Sequence, residues 1–253
     1  MLTEVIWWSG ILLEAVIAVR GLRGKLFSHY PAFYLYLVSV VFVEIARFYT
    51  YHWMLGIYPH VYWNTQFVSL VIGCAVISEI YRVGLKGFPG TARMARNLLW
   101  FVFALVFAKA IATSADGVSW WKALTAMKLE RDLRIVQAGS LIALVAVFLA
   151  YAIPLSRNLK GIIAGYGIFL GTSVFQLTVM VHLGAAFRGA WDYLRSAMYL
   201  FVLILWVASL WNYQEAPRPA HTITLDEDYK MLVAGTRKQF QKTRLALGKA
   251  VRP

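Results

Sequence analysis

One cysteine, Cys74, is all the chain has, and it falls inside a long apolar stretch. No disulfide can close within the chain, which removes a disulfide-stapled secreted fold and leaves the redox compartment open. A buried packing role is the ordinary expectation for such a thiol. Acidic residues are also scarce: 12 Asp and Glu face 25 Lys and Arg, for a formal charge of +13. Catalytic signatures are missing. No HExxH, GxSxG, Walker loop, CxxC or EF-hand pattern occurs, so nothing in the chain fixes a reaction or a nucleotide.

What is abundant is hydrocarbon. Of 253 residues, 60% are hydrophobic, against about 45–50% apolar in soluble domains, and mean hydropathy is +0.62. A span needs about 20 apolar residues at 1.5 Å rise each. Seven stretches meet that need, near 3–19, 31–56, 60–81, 97–113, 133–153, 161–184 and 193–212. The expected fold is all-α: a polytopic seven-transmembrane-helix bundle over residues 1–213. A cytoplasmic tail follows over 214–253. The first stretch reads as an uncleaved span, because Glu4 is its only early charge and no small-x-small site precedes Arg20.

Lys and Arg set the orientation. With the amino terminus outside, Arg20, Arg23 and Lys25 cluster on the inner side, as do Arg82, Lys86, Arg93, Arg96, Arg157 and Lys160. The tail adds eight more cations. Lys109, Lys122, Lys128, Arg131, Arg134, Arg188 and Arg195 fall outside. The balance predicts N-out, C-in, with attraction to an anionic inner leaflet and no need for nucleic acid. The absence of an N-x-[ST] sequon fits a bacterial inner membrane. Trp7, Trp8, Trp53, Trp63, Trp120, Trp121 and Trp191 map to the outer interface, and Trp100, Trp206 and Trp211 to the inner one, as an aromatic belt requires.

Local signals organise the connections. Gly56 to His60 reads as a tight outer turn, so spans two and three are antiparallel neighbours. The segment from Ser114 to Glu130 reads as a long outer connection with a short interfacial helix. Gly161, Gly165, Gly167 and Gly171 have small-xxx-small spacing and predict close helix approach. In the tail, Ala216 to Ala220 is a stiff linker, and Thr224 to Glu227 has capping-box spacing. Beyond it Leu225, Tyr229, Leu232, Thr236, Phe240, Thr243, Leu247 and Val251 recur at helical spacing among Lys and Arg. That predicts a basic amphipathic helix, with anionic inner-leaflet lipids as partners over residues 225–252.

Charges within hydrocarbon cost at least about 2.5–3.5 kcal/mol each on insertion scales, so they are the strongest pointers to function. Glu44 and Arg47 share a face of span two and can pair with each other. Counting residues at 1.5 Å each brings Arg47 and Gln176 to one depth, with Gln137 and Asn64 somewhat higher. These five residues form the expected ligand pocket, open to the outside. Glu14 and Glu44 are the expected proton or ion carriers. Glu79 reads as snorkelling beside Arg82. His52, His60 and His182 lie at one level and are the only set that suggests a metal or haem.

No family is recognised. The last span, Tyr193 to Asn212, has no lysine for a retinal Schiff base, and neither an HxxxH pair nor a Pro-Gln repeat occurs. No cofactor is expected. The leading expectation is a receptor or sensor that reads a ligand or membrane state in the outer half and relays it to a cytoplasmic protein partner. A small-solute transporter with a midplane Glu44/Arg47 site is the second, and a structural subunit, alone or as a homo-oligomer, the third. None of the three requires an enzyme.

Overall fold

The computed structural model describes residues 2–24, 26–115, 123–183 and 188–217. In the tail it describes 227, 230–231, 233–236 and 238–239. All regular structure among these is helical. Seven long helices occur: α1 (Leu2–Arg23), α3 (Pro31–Trp53), α4 (Tyr58–Gly84), α5 (Pro89–Ala115), α6 (Ala123–Ala150), α7 (Arg157–Leu183) and α8 (Arg188–Leu210). A four-residue helix, α2 (Leu26–His29), links α1 to α3. The described tail residues from Glu227 to Gln239 are helical and exposed. Most of the side chains that make up the expected amphipathic face lie outside the described residues.

Among the described residues, five stretches are long and apolar enough to cross a membrane: Pro31–Trp53, Leu55–Gly84, Pro89–Ala108, Met127–Ala150 and Arg157–Val179. This fits a multi-pass membrane protein. Over its described side chains, helix α8 is apolar along Leu194–Leu210. The burial pattern is that of a lipid-solvated bundle. Leu12, Phe42, Phe101, Ile142, Leu149 and Ile204 are exposed, whereas Glu14, Glu130, Arg134 and Gln137 are buried. A water-soluble bundle would place these two sets the other way round.

Contacts arrange six helices in a ring, in the order α1, α3, α4, α6, α7, α8, and the ring closes where α8 meets α1. Helix α5 packs outside it, against α4 and α6. The expected tight turn is present: Leu55–Ile57 is a single 3-10 turn, and α3 and α4 run antiparallel from it. One end of the ring, holding this turn, is called here the turn end; the other, where residues 211–217 leave α8, is the tail end.

Two expectations change. Helix α6 begins at Ala123 rather than near 133, so no separate interfacial helix occupies Leu124 to Glu130. No Gly or Pro interrupts that stretch, and Glu130 and Arg134 support it at i,i+4. Trp206 does not belong to a belt. It is fully buried, with its ring edge-on to Phe33 at 5.0 Å.

The glycines of α7 divide. A side chain at Gly161 would strike Ser209, and one at Gly165 would strike the Trp206 indole, both on α8. Those two let α7 and α8 approach closely, as the spacing predicts. Gly167 only approaches Leu141 of α6, and nothing lies near Gly171. At its far end α6 stops in a Schellman motif. Ala152 takes φ 48°, Ile153 N–H reaches Phe148 C=O, Ala152 N–H reaches Leu149 C=O, and Pro154 follows.

Candidate functional site: a polar network toward the turn end

Arg47 sits on α3, six residues before its end, and its guanidinium turns to α4. Nε donates to Thr65 Oγ1 at 3.0 Å, and Nη2 donates to Gln66 Oε1 at 2.8 Å and to the Tyr62 carbonyl at 3.3 Å. The cation lies 4.4 Å from the centre of the Tyr62 ring. Gln66 passes the network on: its Nε2 donates to Glu130 Oε1 on α6 at 2.5 Å. Glu130 in turn accepts from Arg134 Nε at 3.0 Å. Arg134 lies 4.9 Å over the Phe169 ring of α7. One continuous set of contacts therefore crosses α3, α4, α6 and α7.

Spacing explains how the chain builds it. Tyr62, Thr65 and Gln66 sit at i, i+3 and i+4 on α4, so all three look the same way. Glu130, Arg134 and Gln137 do the same on α6. Helices α4 and α6 run parallel, with Gln66 against Glu130 and Gly84 against Phe148. Below Arg134, Gln137 donates to the Leu70 carbonyl at 3.1 Å and to Cys74 Sγ at 3.3 Å. Cys74 is buried, and this amide is its polar neighbour. Gly73 makes room for both Gln137 and the Tyr166 hydroxyl, which lets α7 reach across the ring.

The expected pocket residues fall as follows. Arg47 and Gln137 join this network. Glu44 is half-buried, one turn from Arg47, but the carboxylate linked to Arg47 through Gln66 is Glu130. Asn64 is exposed, and Gln176 is half-buried two turns beyond Phe169 on α7. Glu130, which ends the expected outer connection, and Arg134, counted among the outer cations, are buried, 8% and 9% exposed. Their i,i+4 spacing, with Gln137 at the next turn of the same face, was the signal that a longer α6 would have shown.

His52 and His60 are exposed, and His52 Nδ1 lies 2.9 Å from the Phe48 carbonyl. The His182 side chain lies outside the described residues. Among the described residues, no three metal-ligating side chains converge. A surface groove of about 710 Å³ runs along α5 past Arg93, Met94 and Phe101, apart from the network.

The tail end holds a second polar cluster, built to terminate helices. Asn158 is fully buried. Its Nδ2 donates to the Ser209 and Asn212 carbonyls, both at 2.8 Å. Its Oδ1 accepts from the Gln214 N–H at 2.7 Å. Arg157 donates to the Ala208 carbonyl and Arg20 to the Trp211 carbonyl. The orphan carbonyls at the end of α8 are thus met by cations and an amide. His29 stacks on Tyr213 at 4.4 Å. Asn158→Ala removes three bonds at once and is expected to cost about 2–4 kcal/mol. Limited proteolysis after α8, together with denaturant titration, measures both effects.

Glu79 does not snorkel. It is buried, and its two oxygens accept from the Ala32 and Phe33 amides at 3.1 and 2.9 Å. Arg82 lies beside it at 3.2 Å. Tyr30, which precedes α3, offers no side-chain cap, so a carboxylate from the neighbouring α4 supplies it. Glu79→Ala is expected to cost about 1–2 kcal/mol, the usual worth of a lost cap. Hydrogen exchange at Ala32 and Phe33 should rise with it.

No protein-family model, no curated protein and no solved structure matches this chain.

Proposed function

We propose that the chain is a seven-span membrane receptor or sensor. Its turn end would face outside and its tail the cytoplasm, in keeping with the distribution of Lys and Arg. The network from Arg47 to Arg134 would receive a polar ligand in the outer half of the bundle. Three cations, Arg47, Arg134 and the exposed Arg195, surround it; Arg195 is near enough to act electrostatically on Tyr62. Glu130 is the carboxylate bonded within the network, and Glu44 lies a turn below Arg47. An anionic or strongly hydrogen-bonding solute is the ligand class this favours.

The observation that carries the reading is the latch at Asn158. It bonds the start of the tail directly to α7 and α8, so a shift of those helices has a mechanical route to a cytoplasmic protein partner. The outer network touches α7 through Arg134 and Phe169, at the other end of the same helix. Deleting residues 216–253 is the test. It should abolish the output while leaving ligand-induced thermal stabilisation unchanged; full activity without the tail would overturn the reading.

A transporter is the second reading, favoured by the half-buried state of Glu44 and Arg47 within a span. Proteoliposome flux separates the two. Solute uptake lost in Glu44→Gln, with the tail dispensable, would make transport the function.

A further inference from the structure

Glu14 lies on the opposite side of the ring from Glu130, at the seam where α1 closes on α8. Its side chain is 2% exposed. One oxygen, Oε1, accepts a hydrogen bond from the Tyr199 hydroxyl of α8. The other, Oε2, is buried and has no partner among the described residues. The groups facing it are Tyr199 from α8 and Tyr36 and Glu44 from α3. The nearest cation in this set is Arg134 of α6, beyond Tyr36 and already paired with Glu130. Helix α2 contributes no charge at this level.

A second observation concerns space. Gly10 is one turn from Glu14 on the same face of α1, and it is buried. A side-chain carbon built there would meet nothing within 4 Å among the described residues. Antiparallel register, set by Gly21 against Tyr34, brings Gly10 level with Ile45 and beside Glu44. Among the described residues, a buried opening with room for at least a methyl group therefore adjoins Glu14 on the side toward the start of α1, where close packing is the rule.

Among the described residues Glu14 has one donor and no cation beside it, and an ionised carboxylate so held within a bundle is strongly disfavoured. A second carboxylate nearby makes it worse. We propose that Glu14 is a proton-binding site within the bundle, reached through the opening at Gly10 and held in position by Tyr199. The proton comes from water and sits on Oε2. Tyr199 keeps its own proton and donates to Oε1, and a water in the opening accepts from the new O–H. Charge is lost when the proton binds, so the site reports pH at the α1–α8 seam. This assignment stands apart from the network at Arg47 and does not depend on the sensor reading.

Infrared difference spectroscopy on the full-length protein in lipid tests it. The wild type should show the carbonyl band of a protonated carboxyl group at neutral pH. Glu14→Gln should abolish that band, and Tyr199→Phe, which keeps the acid, should shift it upward as its hydrogen bond is lost. Gly10→Leu should slow deuterium uptake at the band by about tenfold or more, because filled space excludes water. Persistence of the band in Glu14→Gln, or an unmoved band in Tyr199→Phe, overturns the proposal. So does its loss on adding sodium or potassium at constant pH, which would make the site one for a metal cation.

Discussion

Replacing Arg134 by Ala should lower the free energy of unfolding by about 3–5 kcal/mol, because it strands the Glu130 carboxylate inside the bundle. Glu130→Ala should cost a similar amount by stranding Arg134. Replacing both at once, as Glu130→Leu with Arg134→Met, should cost far less than the two single changes combined. The pair is about nine-tenths buried on each side, so neither charge can recover its hydration when the other leaves. Some cost remains in the double variant. Gln66 loses the acceptor for its Nε2, worth about 1 kcal/mol, and Phe169 loses the cation over its ring. Denaturant titrations of the four forms in detergent give the coupling directly, expected at about 2 kcal/mol or more for groups in contact. Additive losses would mean that Glu130 and Arg134 do not act as a pair. Among the described residues this pair anchors the network that reaches Arg47.

The second large effect is steric. Gly161→Val with Gly165→Val should destabilise the bundle by about 3 kcal/mol or more, beyond the usual range for one overpacked site. At Gly165 the obstacle is the Trp206 indole, which is fully buried against Phe33 and has no free direction in which to move. At Gly161 it is Ser209, whose carbonyl also accepts from Asn158. Forcing α7 from α8 there should therefore loosen the start of the tail as well, and protease cleavage between Asn212 and Pro217 should accelerate. Gly171→Ala is the control. With nothing near the added carbon, it should change stability by no more than about 0.5 kcal/mol.

Hydropathy and punctuation carried most of the architecture. All seven long helices overlap the apolar stretches expected, and the turn at Leu55–Ile57 lies where Gly56 and Pro59 suggested. Five of the helices are apolar enough to span on their own terms. Burial of Glu14 in α1 needs a neighbour, Tyr199, that lies 185 positions away in the chain. The candidate site was only half legible, for the same reason. Arg47 was identifiable as a charge in hydrocarbon, but its partners are set by which face of α4 it meets. Depth counting brings Gln176 level with Arg47, and the α7 side chain against Arg134 is Phe169. The buried pair of Glu130 and Arg134 is not legible in hydropathy, because the apolar run near 133 marks where hydrocarbon begins, not where the helix does. Glu79 shows the same limit: a charge near a span end looks like a snorkelling side chain until the uncapped start of α3 is seen next to it.

The central claim is that these helices alternate through a membrane so that the turn between α3 and α4 and the start of the tail lie on opposite sides. Single cysteines at His60 and Gln214, introduced in a Cys74→Ser background, measure this with a membrane-impermeant thiol reagent on intact cells. The position at 60 should label at once, and the position at 214 only after the membrane is opened. Equal labelling of both from the same side would contradict the arrangement.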